Sequence, residues 1–265
     1  MELTTKVAVQ CATKAGKLLS GLIRENQSAR VKDKLFPAHI VTQSDIKSEK
    51  LIIDIIRRHF PGHAILSEEA SPSVDPVKHN DLWIVDPLDG TISFAAGLPL
   101  YSVSISYFQN QRPVSSALYL ASTGEVLWCE TGKGAFAGKR RLSVSNKPPK
   151  KSVIALDQGI RTRKFTMTHI APGLGLGVRG LLVVPGEAGN LGLVARGNIQ
   201  GLVCSHPRIW DYAAGIHLVQ EAGGVVSDYL GKPYRWFTRA GHIACAPSVH
   251  RYILKHTNKV AKHFS

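Results

Sequence analysis

The sequence predicts a mixed α/β protein, and three observations carry that reading. The chain opens on a helix-period pattern, with Val7, Val9, Ala12, Ala15, Leu18, Leu19, Leu22 and Ile23 recurring from Leu3 to about Glu25. Its middle is a run of short strand-like segments separated by glycine turns, which reads as a meander. Past it, an apolar stretch opening at Trp210-Asp211 returns to helical character. A chain of 265 residues without a low-complexity linker is long enough for one large domain or two closely joined halves.

Taken in order, the basic segment from Arg30 to His39 is broken by Pro37 and reads as a loop or short hairpin. Ser44 or Asp45 can cap a second helix with Ile46, Leu51, Ile52, Ile55 and Ile56 on its apolar face, and Pro61-Gly62 ends it. Ala64 to Leu66 is a brief strand running into Ser67-Glu68-Glu69. Leu82 to Val85 favours a strand and is expected to stop at Asp86-Pro87, because proline has no N–H for a ladder. Tyr101 to Tyr107, Ser115 to Leu120 and Val126 to Cys129 continue the meander, with Gly124-Glu125 turning the chain and Gly132, Gly134 and Gly138 as turn glycines. Pro148 to Lys151 is the expected junction between an N-terminal half, 1–150, and a C-terminal half, 151–265, which together form one unit. Val153 to Val184 holds Pro172-Gly173 and glycines at 173, 175, 177 and 180, so a shortened or irregular element is expected there. The helix from Trp210-Asp211 ends at Gly223-Gly224, Val225 and Val226 begin a strand, and Ile243 to Cys245 forms the last strand before a basic C-terminal helix.

The chemistry centres on Asp81 to Phe94, DLWIVDPLDGTISF. A strand ending on Asp86 is followed by a second carboxylate, Asp89, and then by Gly90-Thr91, where a helix can begin with its free N–H groups pointing back at the acids. Two adjacent carboxylates repel unless a cation lies between them, and oxygen ligands suit Mg²⁺, Mn²⁺ or Ca²⁺ rather than zinc. With a helix N-terminus as a phosphate site, the economical reading is metal-assisted phosphate chemistry. An Asp-Pro turn followed by an Asp-Gly turn accounts for the same residues without any chemistry.

Composition adds bounds. The formal charge of +14 attracts anions of any kind, and its densest cluster is Lys139, Arg140 and Arg141, without the interleaved aromatic platform of a single-strand binder. Cys11, Cys129, Cys204 and Cys245 are far apart with no CxxC pair, which reads as buried thiols rather than a disulfide framework or zinc knuckle. No apolar run approaches a membrane span, no compact signal segment opens the chain, and the expectation is a cytoplasmic protein with no membrane partner. The eleven histidines show no ligand spacing of the H-E-x-x-H kind, so none is assigned to a metal.

Asp45, the pair Glu68-Glu69, DPLDGT at 86–91, GLPLYSVSI at 97–105, GKGAFAGKRRLSVS at 132–145 and WDYAAGIHLVQEAGGVVSD at 210–228 follow one another in a recognisable order. In that order and spacing the chain resembles the inositol monophosphatase family, lithium-sensitive, magnesium-dependent phosphomonoesterases. The resemblance covers nearly the whole chain. It implies a layered α-β-α-β-α sugar-phosphatase fold, a small phosphorylated substrate such as inositol-1-phosphate or another sugar or polyol phosphate, Mg²⁺ as cofactor, and a homodimer. Ser67 departs from the glycine usual before the acidic pair.

Residue by residue, the resemblance implies that Glu68, Asp86, the carbonyl of Leu88, Asp89 and Asp211 hold Mg²⁺. Thr91 and Glu68 would orient the attacking water, with Asp45 polarising the threonine. Gly90 and Thr91 would present N–H groups to the phosphate, with Leu88, Asp89 and Asp211 beside it. Asp45 and Asp211 also stand at helix starts, where a capping role alone would explain them. Lys34 corresponds loosely to a family lysine near the metal. Two positions depart where the organic part of the substrate is held: Glu187 replaces a small residue, and Cys204 stands seven residues before Asp211, where inositol-preferring relatives carry a hydroxyl-binding glutamate. These departures put inositol phosphate itself in question. The enzyme alternatives are a 3′(2′),5′-bisphosphate nucleotidase, against which Ile92-Ser93-Phe94 counts, and a fructose-1,6-bisphosphatase or histidinol-phosphatase. Outside enzymes, the basic charge leaves binding to RNA or RNA polymerase as the competing reading.

Overall fold

Val7, Ala8, Cys11, Ala12, Ala15 and Leu19 bury one face of α1 (Leu3–Leu22), and Ile52, Ile55 and Ile56 bury one face of α2 (Gln43–His59). These two stripes meet each other and one side of a seven-stranded sheet, as the helical period of their apolar residues requires. The structure is a computed structural model, and it describes residues 1–23, 30–31, 40–157, 163–205, 208–238 and 240–263. Lys34 and most of the basic segment lie outside the described residues. At its ends, β1 (Arg30–Val31) pairs antiparallel with β2 (Ile40–Val41).

The large sheet runs in chain order through β3 (Ala64–Ser67), β4 (Asp81–Asp89), β5 (Ser102–Gln109), β6 (Arg112–Leu120), β7 (Glu125–Glu130), β8 (Gly134–Ala137) and β9 (Arg140–Arg141). Among the described residues the β3–β4 pairing alone is parallel in it; the other neighbours are antiparallel, and from β5 onward they are joined by short turns. A short helix, α3 (Thr91–Ala95), interrupts the passage from β4 to β5.

Beyond Pro149–Lys151 comes β10 (Val153–Asp157), then the broken helical stretch α4 (Arg163–Phe165), a π-helical turn (Thr166–Ile170) and α5 (Ala171–Gly175). The irregular element expected from the glycine alternation is therefore a helix interrupted by a π turn. The chain continues through β11 (Gly180–Leu182), α6 (Glu187–Ala195), β12 (Gly201–Cys204), α7 (Ile209–Glu221), β13 (Val225–Asp228), β14 (His242–Cys245) and α8 (Pro247–Thr257). Strands order as β11-β10-β12-β14-β13 in a second, five-stranded sheet.

Helices α6 and α7 lie between the two sheets, while α5 and α8 cover the outer side of the smaller one. This is the α-β-α-β-α layering that the family resemblance implied. Glycines let this central layer pack closely, α7 against α6 and α6 against the large sheet. A Cβ at Gly215 would stand 2.4 Å from the Leu191 side chain, and one at Gly192 would stand 2.6 Å from Leu118.

Three local expectations are corrected. Thr42, not Ser44 or Asp45, caps α2, and Asp45 is the third helical residue, closing a capping box with Thr42. β4 does not stop at Asp86 but continues to Asp89. Helix α6 was not anticipated, because Gly186, Gly189 and Gly192 obscure the period on which Ala188, Leu191, Val194 and Ala195 are buried.

Candidate active site

Parallel pairing sets Ser67 beside Val85, so the residues that follow them, Glu68 and Asp86, leave the same sheet end together. The Glu68 N–H donates to the Val85 carbonyl at 3.3 Å. Pro87 lacks an N–H, and the ladder to β5 skips: Asp86 pairs with Ser104 and Asp89 with Ser102, three steps on one strand against two on the other. Inside this bulge the Leu88 N–H donates to Asp86 Oδ1 at 2.9 Å, and the Pro87 carbonyl accepts from the Ser48 hydroxyl of α2 at 2.7 Å. The bulge is how one strand delivers two carboxylates to one place.

A fourth acid arrives from α7. Ser104, the ladder partner of Asp86, donates its hydroxyl to the Trp210 carbonyl at 3.2 Å, which ties the first turn of α7 to β5. Asp211 is thereby brought to Glu68 and Asp86, and one carboxylate oxygen of each lies within 4.8 Å of the others. Burial together with the charges of Glu68, Asp89 and Asp211 holds the Asp86 carboxyl well above the usual carboxylate range. Such a set could hold a hard divalent cation, because the donors are all oxygen and a 2+ charge would offset the repulsion that raises Asp86.

Asp89 is buried beside this group but is held differently. Its Oδ2 accepts from the Ser102 hydroxyl at 2.7 Å and from the Gly189 N–H of α6 at 2.9 Å. Gly186 is needed next to it: its φ is +109°, and a Cβ there would sit 3.1 Å from Asp89 Oδ2.

Next to the acids, Thr91 Oγ1 stands 3.1 Å from Asp45 Oδ1 and 3.0 Å from the Leu88 carbonyl. Asp45 Oδ2 accepts from the Thr42 N–H at 2.7 Å and its hydroxyl at 2.5 Å. The Asp45 carboxyl is raised by burial, against the lowering effect of those Thr42 bonds. Asp45 is thus both part of a capping box and a partner of Thr91. Gly90, at the start of α3, has φ +87°, and a Cβ on it would meet the Leu100 carbonyl at 2.8 Å. The turn can be made by glycine alone.

Glu49 escaped the sequence reading. One oxygen, Oε1, accepts from the Glu69 N–H at 3.1 Å, the Ala70 N–H at 2.9 Å and the Ser67 hydroxyl, so it shapes the loop that carries Glu68. Its position four residues after Asp45 on the same helix face was the available signal.

Glu187 and Cys204 do not join the carboxylates. Glu187, 3% exposed, opens α6, and Cys204, fully buried, ends β12. The Cys204 thiol donates to Glu187 Oε2 at 3.2 Å, and His242 Nε2 lies 3.0 Å from Glu187 Oε1. No histidine was singled out from spacing, yet His242 faces Cys204 directly across the β12–β14 ladder. All four cysteines are buried and none is in a disulfide, as their scatter implied. Among the described residues no helix is long and apolar enough to cross a membrane.

Residues 1–262 match the inositol monophosphatase family. The chain is 30% identical over 255 residues to a fructose-1,6-bisphosphatase/inositol-1-monophosphatase of Thermotoga maritima, covering 96% of each. It is 30% identical over 239 residues to human inositol monophosphatase 1, covering 88% of this chain and 86% of the relative. Among solved structures, the extragenic suppressor protein suhB of Bartonella henselae superposes with a TM-score of 0.88 at 30% identity, over 97% of this chain and 99% of that one.

Proposed function

The chain belongs to the inositol monophosphatase family and is a phosphomonoesterase, and from that premise we propose that Glu68, Asp86, Asp89, Asp211 and the Leu88 carbonyl hold Mg²⁺ for the hydrolysis of a small sugar or polyol phosphate. The observation that carries this reading is the approach of Glu68, Asp86 and Asp211 within 4.8 Å of one another, from three separate elements. When bound, Mg²⁺ supplies Lewis-acid stabilisation of phosphoryl oxygens and makes water acidic enough to attack at neutral pH.

The chain's own groups do the positioning. Thr91 directs its proton to Asp45 or to the Leu88 carbonyl, so an oxygen lone pair of the hydroxyl is left to accept from and orient the attacking water. Glu68 is the second acceptor for that water. The N–H groups of Gly90 and Thr91, at the start of α3, take phosphate oxygens. Glu49 holds the Glu68 loop, and Ser102 with Gly189 holds Asp89.

Specificity follows from what grips the organic part. Glu187 is turned to Cys204 and His242, and Cys204 is a weak hydrogen-bonding group, which supports slow turnover of inositol-1-phosphate. Inhibition by Li⁺ and assembly as a homodimer belong to the same reading. Leu98 and Leu100, 47% and 40% exposed, are apolar surface that supports the dimer.

Phosphate release from inositol-1-phosphate, fructose-1,6-bisphosphate, histidinol phosphate and 3′-phosphoadenosine 5′-phosphate, each with Mg²⁺, tests the reading. Turnover of a sugar or polyol phosphate supports it; hydrolysis of the nucleotide bisphosphate alone would overturn the substrate class.

A further inference from the structure

We propose that Glu187, Cys204 and His242 form a second metal site, separate from the carboxylate centre and suited to a zinc-like transition-metal ion. The inference goes beyond the phosphatase reading and stands without it. One oxygen, one sulfur and one nitrogen lie within 4.8 Å of one another. The Glu187 carboxylate reaches both partners, with Oε2 3.2 Å from Cys204 Sγ and the other oxygen, Oε1, 3.0 Å from His242 Nε2. A tetrahedral zinc with bonds of roughly 2.0–2.3 Å has ligand-to-ligand edges of about 3.3–3.8 Å, so small side-chain adjustments accommodate the ion.

The scaffold is rigid where such a site needs rigidity. Cys204 and His242 are paired across the β12–β14 ladder, and the Cys204 carbonyl accepts from the Tyr229 hydroxyl at 2.9 Å. Glu187 enters from the first turn of α6, and the rings of Tyr212 and Tyr234 pack edge-on against His242 with centroids 5.7 and 5.0 Å away. Exposures of 3% for Glu187 and 0% for Cys204 and His242 keep bulk water from competing for the donors.

Donor type separates this cluster from the first. Thiolate and imidazole select zinc, cobalt or copper, whereas an all-oxygen set favours Mg²⁺. Charge closes as well: a 2+ ion with one carboxylate, one thiolate and a neutral imidazole sums to zero, the tolerable state for a buried group. Loading releases the Cys204 thiol proton to solvent, and the His242 proton too when the imidazole is charged against Glu187. A path to the phosphatase centre exists in α6, where Gly189, two residues after Glu187, donates to Asp89.

Zinc can also displace Mg²⁺ from carboxylates, so the test reads the metal directly. The full chain, stripped with a chelator and held in excess Mg²⁺, is titrated with Co²⁺ and followed by absorption. The expected result is one equivalent bound with a thiolate-to-cobalt charge-transfer band and intense tetrahedral d–d bands, bleached by added Zn²⁺. Cys204→Ser should remove the charge-transfer band, His242→Gln should weaken binding at least tenfold, and Asp211→Asn should leave both features intact. Absence of the charge-transfer band from the wild-type protein at saturating Co²⁺ would overturn the proposal, even if the variants fail to fold. So would its survival in Cys204→Ser, or its loss in a folded Asp211→Asn protein.

Discussion

Thr91 Oγ1 stands 3.1 Å from Asp45 Oδ1, joining the start of α3 to the first turn of α2 through one hydroxyl. The same oxygen is 3.0 Å from the Leu88 carbonyl. Thr91→Val keeps the side-chain shape and removes the oxygen that would orient water. Its kcat should fall by roughly 10²- to 10⁴-fold, the range for a positioned proton-transfer group, with the melting temperature nearly unchanged. A kcat close to wild type would show that this hydroxyl only braces the turn.

Glu49 is expected to matter without touching substrate. Removing it in Glu49→Ala strips the acceptor from Ser67, Glu69 and Ala70, and hydrogen bonds to a charged group contribute about 1.5–3 kcal/mol. Chemical denaturation should record a loss of that order. The Mg²⁺ concentration for half-maximal activity should rise as well, because the loop that carries Glu68 is loosened. An unchanged Mg²⁺ requirement would separate Glu49 from the site.

His217 gives a pH dependence with a definite sign. It is 1% exposed, with Nδ1 2.9 Å from Ser116 Oγ and Nε2 3.0 Å from Thr131 Oγ1. Thr131 gives its own proton to the Pro113 carbonyl at 2.6 Å, so it accepts from Nε2–H and the ring is neutral with Nδ1 receiving the Ser116 proton. Burial lowers its pKa from 6.5 to about 4. The unfolded chain therefore binds the extra proton first, and stability present above pH 6.5 is lost as pH falls toward 4. At 1.36 kcal/mol per unit the loss reaches about 3 kcal/mol. His217→Gln should flatten this limb of the unfolding curve; an identical acid limb would assign it to other groups.

Specificity can be tested by an exchange. Cys204 and Glu187 touch, so Cys204→Glu alone would press two carboxylates together in a buried site. Combining it with Glu187→Ala moves the acid to β12 without that repulsion. The double variant should raise kcat/KM for inositol-1-phosphate about ten- to a hundredfold, the equivalent of roughly 1.5–3 kcal/mol from one charged hydrogen bond. If Glu187→Ala alone abolishes that activity and the exchange restores nothing, Glu187 already grips the hydroxyls.

What could be read from the chain was local. Helices α1, α2 and α7 announce themselves by their apolar patterns and Asp86 and Asp89 by their punctuation with proline and glycine, whereas Asp211 stands out only through the family resemblance at Trp210-Asp211. What could not be read depends on register. The regular β4–β5 ladder puts Asp86 opposite Ser104, whose bond to Trp210 draws in Asp211, and the bulge at Pro87 then puts Asp89 opposite Ser102; no spacing along the chain encodes those contacts. His242 is the sharper case: it meets Cys204 only because β12 and β14 pair in one register, and a slip of one residue would send its ring to the other face. Glycines hid α6 because they serve close packing against Leu118 and a turn beside Asp89, not helix propensity.

The most direct test of the central claim is the Mg²⁺ dependence of phosphate release, measured on one turned-over monoester for the wild-type chain and for Asp211→Asn. Asparagine fills the same volume but removes one charge from the group formed with Glu68 and Asp86. The account predicts no release after chelation, saturable recovery with Mg²⁺ in the wild type, and at least a hundredfold lower kcat or a much higher Mg²⁺ requirement in the folded variant. Release that persists in chelator, or one Mg²⁺ curve shared by both proteins, would contradict it.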